Sequence, residues 1–185
     1  MRIVSGKHKG RPILAPKGSD TRPTSDRARE AIFNVLEHGV PGPGLRGAKV
    51  GDIFAGTGAL GLEALSRGAE HCVFVEQNPN AVRTLKDNIQ TLGAGGAAKV
   101  ISKDATALGP RAGAPFEYAF LDAPYNQALS EAALLCLAAQ GWLADGCVLM
   151  VEVAKAEILT PPPGFDVLKE KTYGAARAVF LTYTF

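Results

Sequence analysis

Asp122, Ala123, Pro124 and Tyr125 stand together where the apolar run F-E-Y-A-F-L ends. A carboxylate, a carbonyl, a proline and an aromatic ring in succession suit one task, which is to hold a flat base by its exocyclic amine. Such an amine is a poor nucleophile, because its lone pair is delocalised into the ring. A site that alkylates it needs acceptors for the two N–H groups and a surface for the ring. Asp122 offers the carboxylate and Ala123 a backbone carbonyl. Pro124 biases Ala123 towards extended backbone and so fixes where that carbonyl points. Tyr125 offers a face for stacking.

A second constellation runs V-G-D-I-F-A-G-T-G-A-L-G over residues 50–61. Val50, Ile53 and Phe54 read as the end of a buried strand, and L-E-A-L-S-R-G as the helix that follows. Gly56, Gly58 and Gly61 match G-x-G-x-x-G, and Glu76 lies 20 residues after Gly56, which is the spacing of a dinucleotide site. Two features argue against a dehydrogenase. Asp52 precedes the first glycine by four residues, where a pyrophosphate would bring like charge, and 185 residues leave no room for a substrate domain. S-adenosylmethionine has no phosphates and carries a cation, so it tolerates the acid. A carboxylate ending the second strand, Glu76, suits two ribose hydroxyls. Asp104 follows the third strand-like run. Four strand ends thus carry glycine or acid, and in an open α/β sheet the ligand sits beyond such ends.

The elements that must position these groups alternate. Strands are expected at about 48–54, in H-C-V-F-V-E to Glu76, in A-K-V-I-S towards Asp104, in F-E-Y-A-F-L-D to Asp122 and in G-C-V-L-M-V-E-V. Helices are expected at about 59–67, from Asn78 and Pro79 to Leu92, and at about 127–140. That order predicts a mostly parallel sheet with helices on both faces. Two consecutive strands, 165–172 and 177–185, predict an antiparallel edge hairpin. Ahead of the body, residues 2–15 read as two short strands around a Gly/Lys turn, a basic β-hairpin. A helix capped by Thr24 or Ser25 runs to Glu37, with Ala28, Ala31, Ile32, Val35 and Leu36 on its core face and Arg22, Arg27 and Arg29 at its start. A Gly/Pro linker spans 39–47. The division expected is an arm over 1–20 and a body over 21–185.

Composition bounds the rest. Hydrophobic residues are 46% and charged residues 21%, ordinary for a soluble globular domain. No run of about 18 apolar residues and no leader pattern is present, so neither a membrane span nor a signal peptide is expected. Cys72, Cys136 and Cys147 lie far apart, which suggests buried thiols in a reducing, cytoplasmic setting. His8, His38 and His71 are scattered and support no metal. Trp142 reads as packing. No cysteine stands by a strand-end motif, which excludes cytosine-C5 chemistry. Residues 1–30 hold eight Lys and Arg against three Asp and Glu, a balance of +5, while the remainder is at −3. A basic N-terminal arm on an acidic body points to a polyanionic partner, with Lys7, Lys9, Arg11, Arg22 and Arg27 as candidates for RNA contact.

T-R-P-T-S-D-R-A-R-E, D-I-F-A-G-T-G-A-L-G-L-E-A-L-S-R-G-A and D-A-P-Y together resemble the RsmD family of small-subunit ribosomal RNA guanine-N2 methyltransferases, over nearly the whole chain. The resemblance implies a Rossmann-like seven-stranded α/β fold and S-adenosylmethionine as donor. It implies methylation of the exocyclic N2 of one guanine of 16S rRNA, the guanine-966 type, during small-subunit assembly. The cofactor set it implies is Arg22, Thr24, Asp52, Phe54, Ala55, Gly56, Gly58, Glu76, Asp104 and Asp122. The catalytic set is Asp122, Ala123, Pro124 and Tyr125. A cytoplasmic monomer acting on rRNA in a partly assembled subunit, with no metal and no membrane, is the corresponding expectation. Ala123 departs from the family's D-P-P-Y. The carbonyl is kept on a less stiff backbone, so activity should persist with slightly looser positioning. Two alternatives remain. Adenine-N6 methylation of DNA uses a similar motif, but little chain is left over for reading a duplex. A non-catalytic RNA-binding scaffold would not need the intact acid–proline–aromatic turn.

Overall fold

In the computed structural model, residues 1–15 and 24–185 are described. Ser25 caps helix α1 (Asp26–His38) by accepting from the Ala28 N–H, and Asp26 sits favourably in the first turn. Strand β1 (Lys49–Ile53), helix α2 (Ala59–Ser66) and strand β2 (His71–Val75) follow. Helix α3 (Pro79–Leu92) starts from an Asn78 cap with proline in its first turn and ends on Gly93 in the left-handed region. Then come β3 (Ala98–Ile101), β4 (Phe116–Leu121), α4 (Leu129–Ala139), β5 (Leu143–Ala154), β6 (Phe165–Tyr173) and β7 (Ala176–Tyr183).

The seven strands form one sheet in the order β3-β2-β1-β4-β5-β7-β6. The first five run parallel, and β7 inserts antiparallel between β5 and β6. The expected alternation and the closing antiparallel pair are both present. Strand order turns back between β1 and β4, so the segments after these two strands flank the crevice where α/β folds bind ligands.

The central strands are buried on both faces, as their unbroken apolar runs require. One face packs Val50, Phe74, Tyr118, Phe120 and Met150 under Ile32, Phe33, Leu36, Leu62, Leu65 and Leu85 of α1, α2 and α3. The other packs Ile53, Val73, Leu121, Leu149 and Val151 under Leu134 and Leu137 of α4. Trp142 is buried against Phe116 and donates its indole N–H to the Gly109 carbonyl at 2.9 Å, a packing role as expected. Cys72 and Cys147 are buried and Cys136 half-buried. No helix of the described residues is long and apolar enough to cross a membrane.

Three local expectations are revised. The strand before the glycine turn stops at Ile53, because Phe54 takes φ +61° and leaves the ladder. The N-terminal segment pairs with itself through one bridge, Arg2 to Pro12, rather than through two strands. Ile3, Gly10 and Ile13 donate their N–H within the segment, to the Arg11, Ile3 and Met1 carbonyls, while other amides reach acceptors on α2. Val4 and Ser5 N–H donate to the Glu63 carboxylate at 2.8 and 3.0 Å, and Lys7 N–H donates to the Ser66 carbonyl at 2.8 Å. Ile3 and Ile13 enter the main core. Finally, α1 buries Arg29 and Phe33 beside Ile32, Val35 and Leu36, while Ala28 and Ala31 are only half-buried. Arg29 is no surface cation. It is fully buried and pairs with Asp26 at 2.9 Å and with buried Glu63 at 3.4 Å.

Candidate active site

The chain leaves β1 through a strained turn. Phe54, Gly56 and Gly58 have φ of +61°, +55° and +79°. Among the described residues the other non-glycine positions with positive φ are Asn126 and Ala128, in the turn after β4. Left-handed backbone at such residues costs on the order of 1–3 kcal/mol each and gathers at functional sites. Here all three lie in the two turns that flank the crevice.

The glycines do different work. A Cβ on Gly61 would lie 2.4 Å from the Phe74 ring and 2.6 Å from Cys72 Sγ, so this glycine lets α2 lie close on β2. A Cβ on Gly58 would meet the Leu85 side chain at 2.3 Å. A Cβ on Gly56 would meet nothing within 4 Å. Gly56 therefore faces open space, as a residue approached by a ligand must.

Asp52 is buried in β1, and its Oδ2 accepts from the Gly61 N–H at 2.8 Å. A carboxylate thus occupies the N-terminal turn of α2, where a dinucleotide would place its pyrophosphate. The Gly61 N–H at this helix end is already taken by a side-chain acceptor, which suits the turn poorly to a phosphate. Burial pushes the Asp52 carboxyl well above the usual range, and the charges of Asp122 and Glu76 push the same way.

Glu76 closes the next side. Its Oε2 accepts from the Gly56 N–H at 2.9 Å and its Oε1 from the Asn78 N–H at 2.8 Å. Buried Ala55 donates its N–H to the Val75 carbonyl at 3.0 Å. The glycine turn is thereby laced to the end of β2, with half-buried Phe54 beside it. Asp104 is exposed and caps the short turn Ala105–Ala107. Its Oδ1 accepts from the Thr106 N–H and hydroxyl, both at 2.8 Å, which holds its carboxyl below the usual range.

Asp122 ends β4, and its N–H reaches back to the Ile53 carbonyl of β1 at 3.4 Å. Register pairs Leu121 with Val151, so Asp122 stands beside Glu152 of β5. Burial, with the Glu152 charge as a second cause, pushes the Asp122 carboxyl up to about 8. Ala123 is buried, while Pro124 and Tyr125 are exposed. Tyr125 is 40% exposed, yet its hydroxyl donates to Glu152 Oε1 at 2.6 Å. Thr24 donates its hydroxyl to Glu152 Oε2 at 3.2 Å. The turn is held from its far side by Glu157, whose Oε1 accepts from the Asn126 N–H at 2.9 Å.

The structure therefore brings together Thr24, Asp52, Phe54, Ala55, Gly56, Gly58, Glu76 and Asp122–Tyr125, with Asp104 on the neighbouring strand end. Arg22 lies outside the described residues. Lys7 and Lys9 are exposed but sit at the Ser66 end of α2, and this eight-residue helix is about 12 Å long. They are on the far side of that helix from the glycine turn. Arg27 is exposed on α1. The Arg11 guanidinium is engaged, donating to the carbonyls of Thr91 and Leu92 at the end of α3. A cavity of about 410 Å³ lined by Lys49, His71, Arg111 and Phe116 opens at the opposite, amino ends of the strands.

Two residues of the site are absent from the sequence-level set. Glu152 is the one acid in the run V-L-M-V-E-V, and the strand-end rule applied to the fifth strand would have found it. Asn88 is buried on α3. It donates to the carbonyls of Thr57 and Leu14, at 2.9 and 3.0 Å, and so joins the glycine turn to the N-terminal segment. Nothing in its local sequence marks it.

A seven-stranded mixed sheet with a glycine turn after β1, acids after β2 and β3 and an acid–aromatic turn after β4 is the α/β methyltransferase fold. The solved structure of the Escherichia coli protein yhhF has TM-score 0.83 at 34% identity, covering 100% of this chain and 98% of that one. The Thermus thermophilus protein TTHA0928 has TM-score 0.72 at 31% identity, covering 97% and 98%. The sequence model of the family described as Conserved hypothetical protein 95 matches residues 1–182. Ribosomal RNA small subunit methyltransferase D of Escherichia coli is 37% identical over 175 residues, which cover 94% of this chain and 85% of that protein. Its namesake in Haemophilus influenzae is 35% identical, covering 94% and 89%. The chain belongs to the RsmD family.

Proposed function

We propose that this protein transfers a methyl group from S-adenosylmethionine to the exocyclic N2 of a guanine in small-subunit ribosomal RNA, the guanine-966 type. The observation that carries this reading is the position of Asp122. It lies across the crevice from the glycine turn and beside a tyrosine whose ring stays exposed although its hydroxyl is fixed.

S-adenosylmethionine supplies an activated methyl group on a cationic sulfonium. The chain's residues fit that donor, because the helix end that would take a phosphate is filled by Asp52 and the open face of Gly56 is rimmed by acids. Glu76 retains lone pairs on both oxygens for ribose hydroxyls while it holds Gly56. Asp104 places a second carboxylate on the same rim. Asp52 acts by positioning, since its contact is with Gly61 and it is buried. Tyr125 carries the target base on its ring face. Asp122 and the Ala123 carbonyl accept from the amine's two N–H groups, which turns the nitrogen lone pair outward. As the new N–C bond forms and the donor's S–CH3 bond breaks, the amine gives up one proton, which Asp122 in its carboxylate form can take, its raised proton affinity helping to hold it.

The basic segment within 1–20 contributes RNA phosphate contacts through Lys7 and Lys9, away from the crevice. This fits a folded substrate large enough to span both places, namely 16S rRNA in a partly assembled subunit bound by a cytoplasmic monomer. Tritium transfer from S-adenosylmethionine to free 16S rRNA, to partly assembled subunits and to DNA tests the reading. N2-methylguanosine in digested rRNA is the expected product. Label in DNA adenine, or no transfer to any of the three, would overturn it.

A further inference from the structure

Glu152 is an acid near the carboxyl end of β5, 7% exposed and next to Asp122 at the end of the adjoining strand. A buried carboxylate beside another carboxylate is costly unless its oxygens are well bonded. Both are, and the partners are the informative part. Oε1 takes the Tyr125 hydroxyl at 2.6 Å and Oε2 takes the Thr24 hydroxyl at 3.2 Å. Tyr125 is the surface on which the base would stack, and Thr24 begins the segment that leads into α1. That segment is in turn fixed by Arg29, which donates to the Thr24 carbonyl at 3.5 Å and pairs with Glu63. Glu63 also receives the amides of Val4 and Ser5.

We propose that Glu152 is a positioning residue of this site, anchoring Tyr125 from beneath and fastening the Thr24 segment to the D-A-P-Y turn, so that the stacking ring is set before the base arrives. The proposal rests on the methyltransferase reading given above and adds to it the residue that preorganises the turn. An exposed tyrosine on a turn has two free torsions, and stacking would otherwise have to order it. Fixing its hydroxyl removes that cost in advance. A carboxylate serves better than an amide, because it accepts from both hydroxyls and cannot present a donor to either.

Glu152 also sets the charge beside Asp122, and the acid limb of the pH–rate profile reads that contact separately from the anchoring of Tyr125. The groups that face Asp122 are Glu152 from β5, Asp52 from β1 and Tyr125 from its own turn. Glu152 and Asp52 are acids, and Tyr125 is held neutral. Glu152→Gln removes one negative neighbour while keeping one acceptor, so Asp122 should lose its proton at lower pH. If catalysis needs the Asp122 carboxylate, the acid limb shifts to lower pH.

The test uses the full chain and three variants, Glu152→Gln, Glu152→Ala and Tyr125→Phe. Amide hydrogen exchange without any substrate should quicken in residues 122–128 and 24–28 of Glu152→Ala, with α3 unchanged. Single-turnover methylation of 16S rRNA should fall at least tenfold in Glu152→Ala, with cofactor affinity unchanged and partial recovery in Glu152→Gln. Tyr125→Phe combined with Glu152→Ala should add little to either alone. Unaltered exchange in both segments of Glu152→Ala overturns the proposal, whatever the acid limb does in Glu152→Gln. Absence of methyl transfer by the wild type overturns the enzymatic reading instead, and the exchange result then still decides whether Glu152 anchors Tyr125. Should Glu152→Ala fail to fold, Glu152→Gln carries the pH and exchange measurements.

Discussion

The Glu76 carboxylate at the end of β2 accepts from the Gly56 N–H in the turn after β1 at 2.9 Å. One side chain therefore shapes the glycine turn and forms its rim. Glu76→Ala should weaken S-adenosylmethionine binding by about 1.5–3 kcal/mol, the scale of hydrogen bonds to a charged group. Because Gly56 and Asn78 lose their acceptor too, the melting temperature should also fall. Calorimetry showing wild-type affinity would remove Glu76 from the cofactor site.

Asp122→Asn keeps the shape of the turn but presents an NH2 group to a substrate that is itself a donor. The transfer rate should drop about a hundredfold or more, the scale of one preorganised charge-stabilising group. Cofactor affinity should hardly change, since Gly56 and Glu76 are intact. A near-wild-type single-turnover rate would leave D-A-P-Y as architecture alone.

Asp52 makes a prediction about pH. Its carboxyl is raised in the folded protein, so between the ordinary carboxylate range and its folded value the native state holds a proton that the unfolded chain has lost. Stability from this group is present at low pH and is lost as pH rises, by at most about 1.4 kcal/mol per pH unit. Asp52→Asn keeps the acceptor for Gly61 and cannot titrate. Urea unfolding at a series of pH values should show a flatter decline for the variant, and equal slopes would rule out Asp52 as a source.

Two glycine substitutions separate binding from packing. Gly61→Ala drives a methyl into Phe74 and Cys72 and should destabilise the fold by about 1–3 kcal/mol. Gly56→Ala meets no atom, so beyond the roughly 1–2 kcal/mol for left-handed backbone its effect should fall on cofactor affinity. Thermal melts and calorimetry of both variants decide it. Equal losses of affinity and stability in the two would show that Gly56 is not the open wall of the site.

The N-terminal cations divide in the same way. Lys7→Ala with Lys9→Ala should lower RNA affinity and reduce the salt slope by about 1.4–1.8, without touching cofactor binding. Arg11→Ala should instead lower stability, because its guanidinium caps carbonyls of α3. Filter binding across a salt series, with a melt for each variant, measures both. An unchanged slope for the lysine pair would mean that this segment only packs.

The sequence by itself determined the alternation of strands and helices, the Asn78 cap, a cap at Thr24 or Ser25, the glycine turn and the D-A-P-Y turn. Each of these is local. Periodicity, a capping side chain, a glycine that must turn and a proline that stiffens its neighbour all act within a few residues. Tertiary structure decided what those pieces meet. Asp52 could be read as a group near the ligand, but only the close lie of α2 on β1 shows its carboxylate spent on Gly61. Arg29 reads as one more cation at a helix start and is buried, because Glu63, 34 residues later, comes up beneath it. Lys7 and Arg11 look alike in sequence and both are exposed, yet the Arg11 guanidinium is bonded to the end of α3. Glu152 lies 30 residues from Asp122 and 128 from Thr24. Parallel pairing of β4 with β5 makes Asp122 and Glu152 neighbours, and the packing of the segment before α1 adds Thr24, none of which distance along the chain shows.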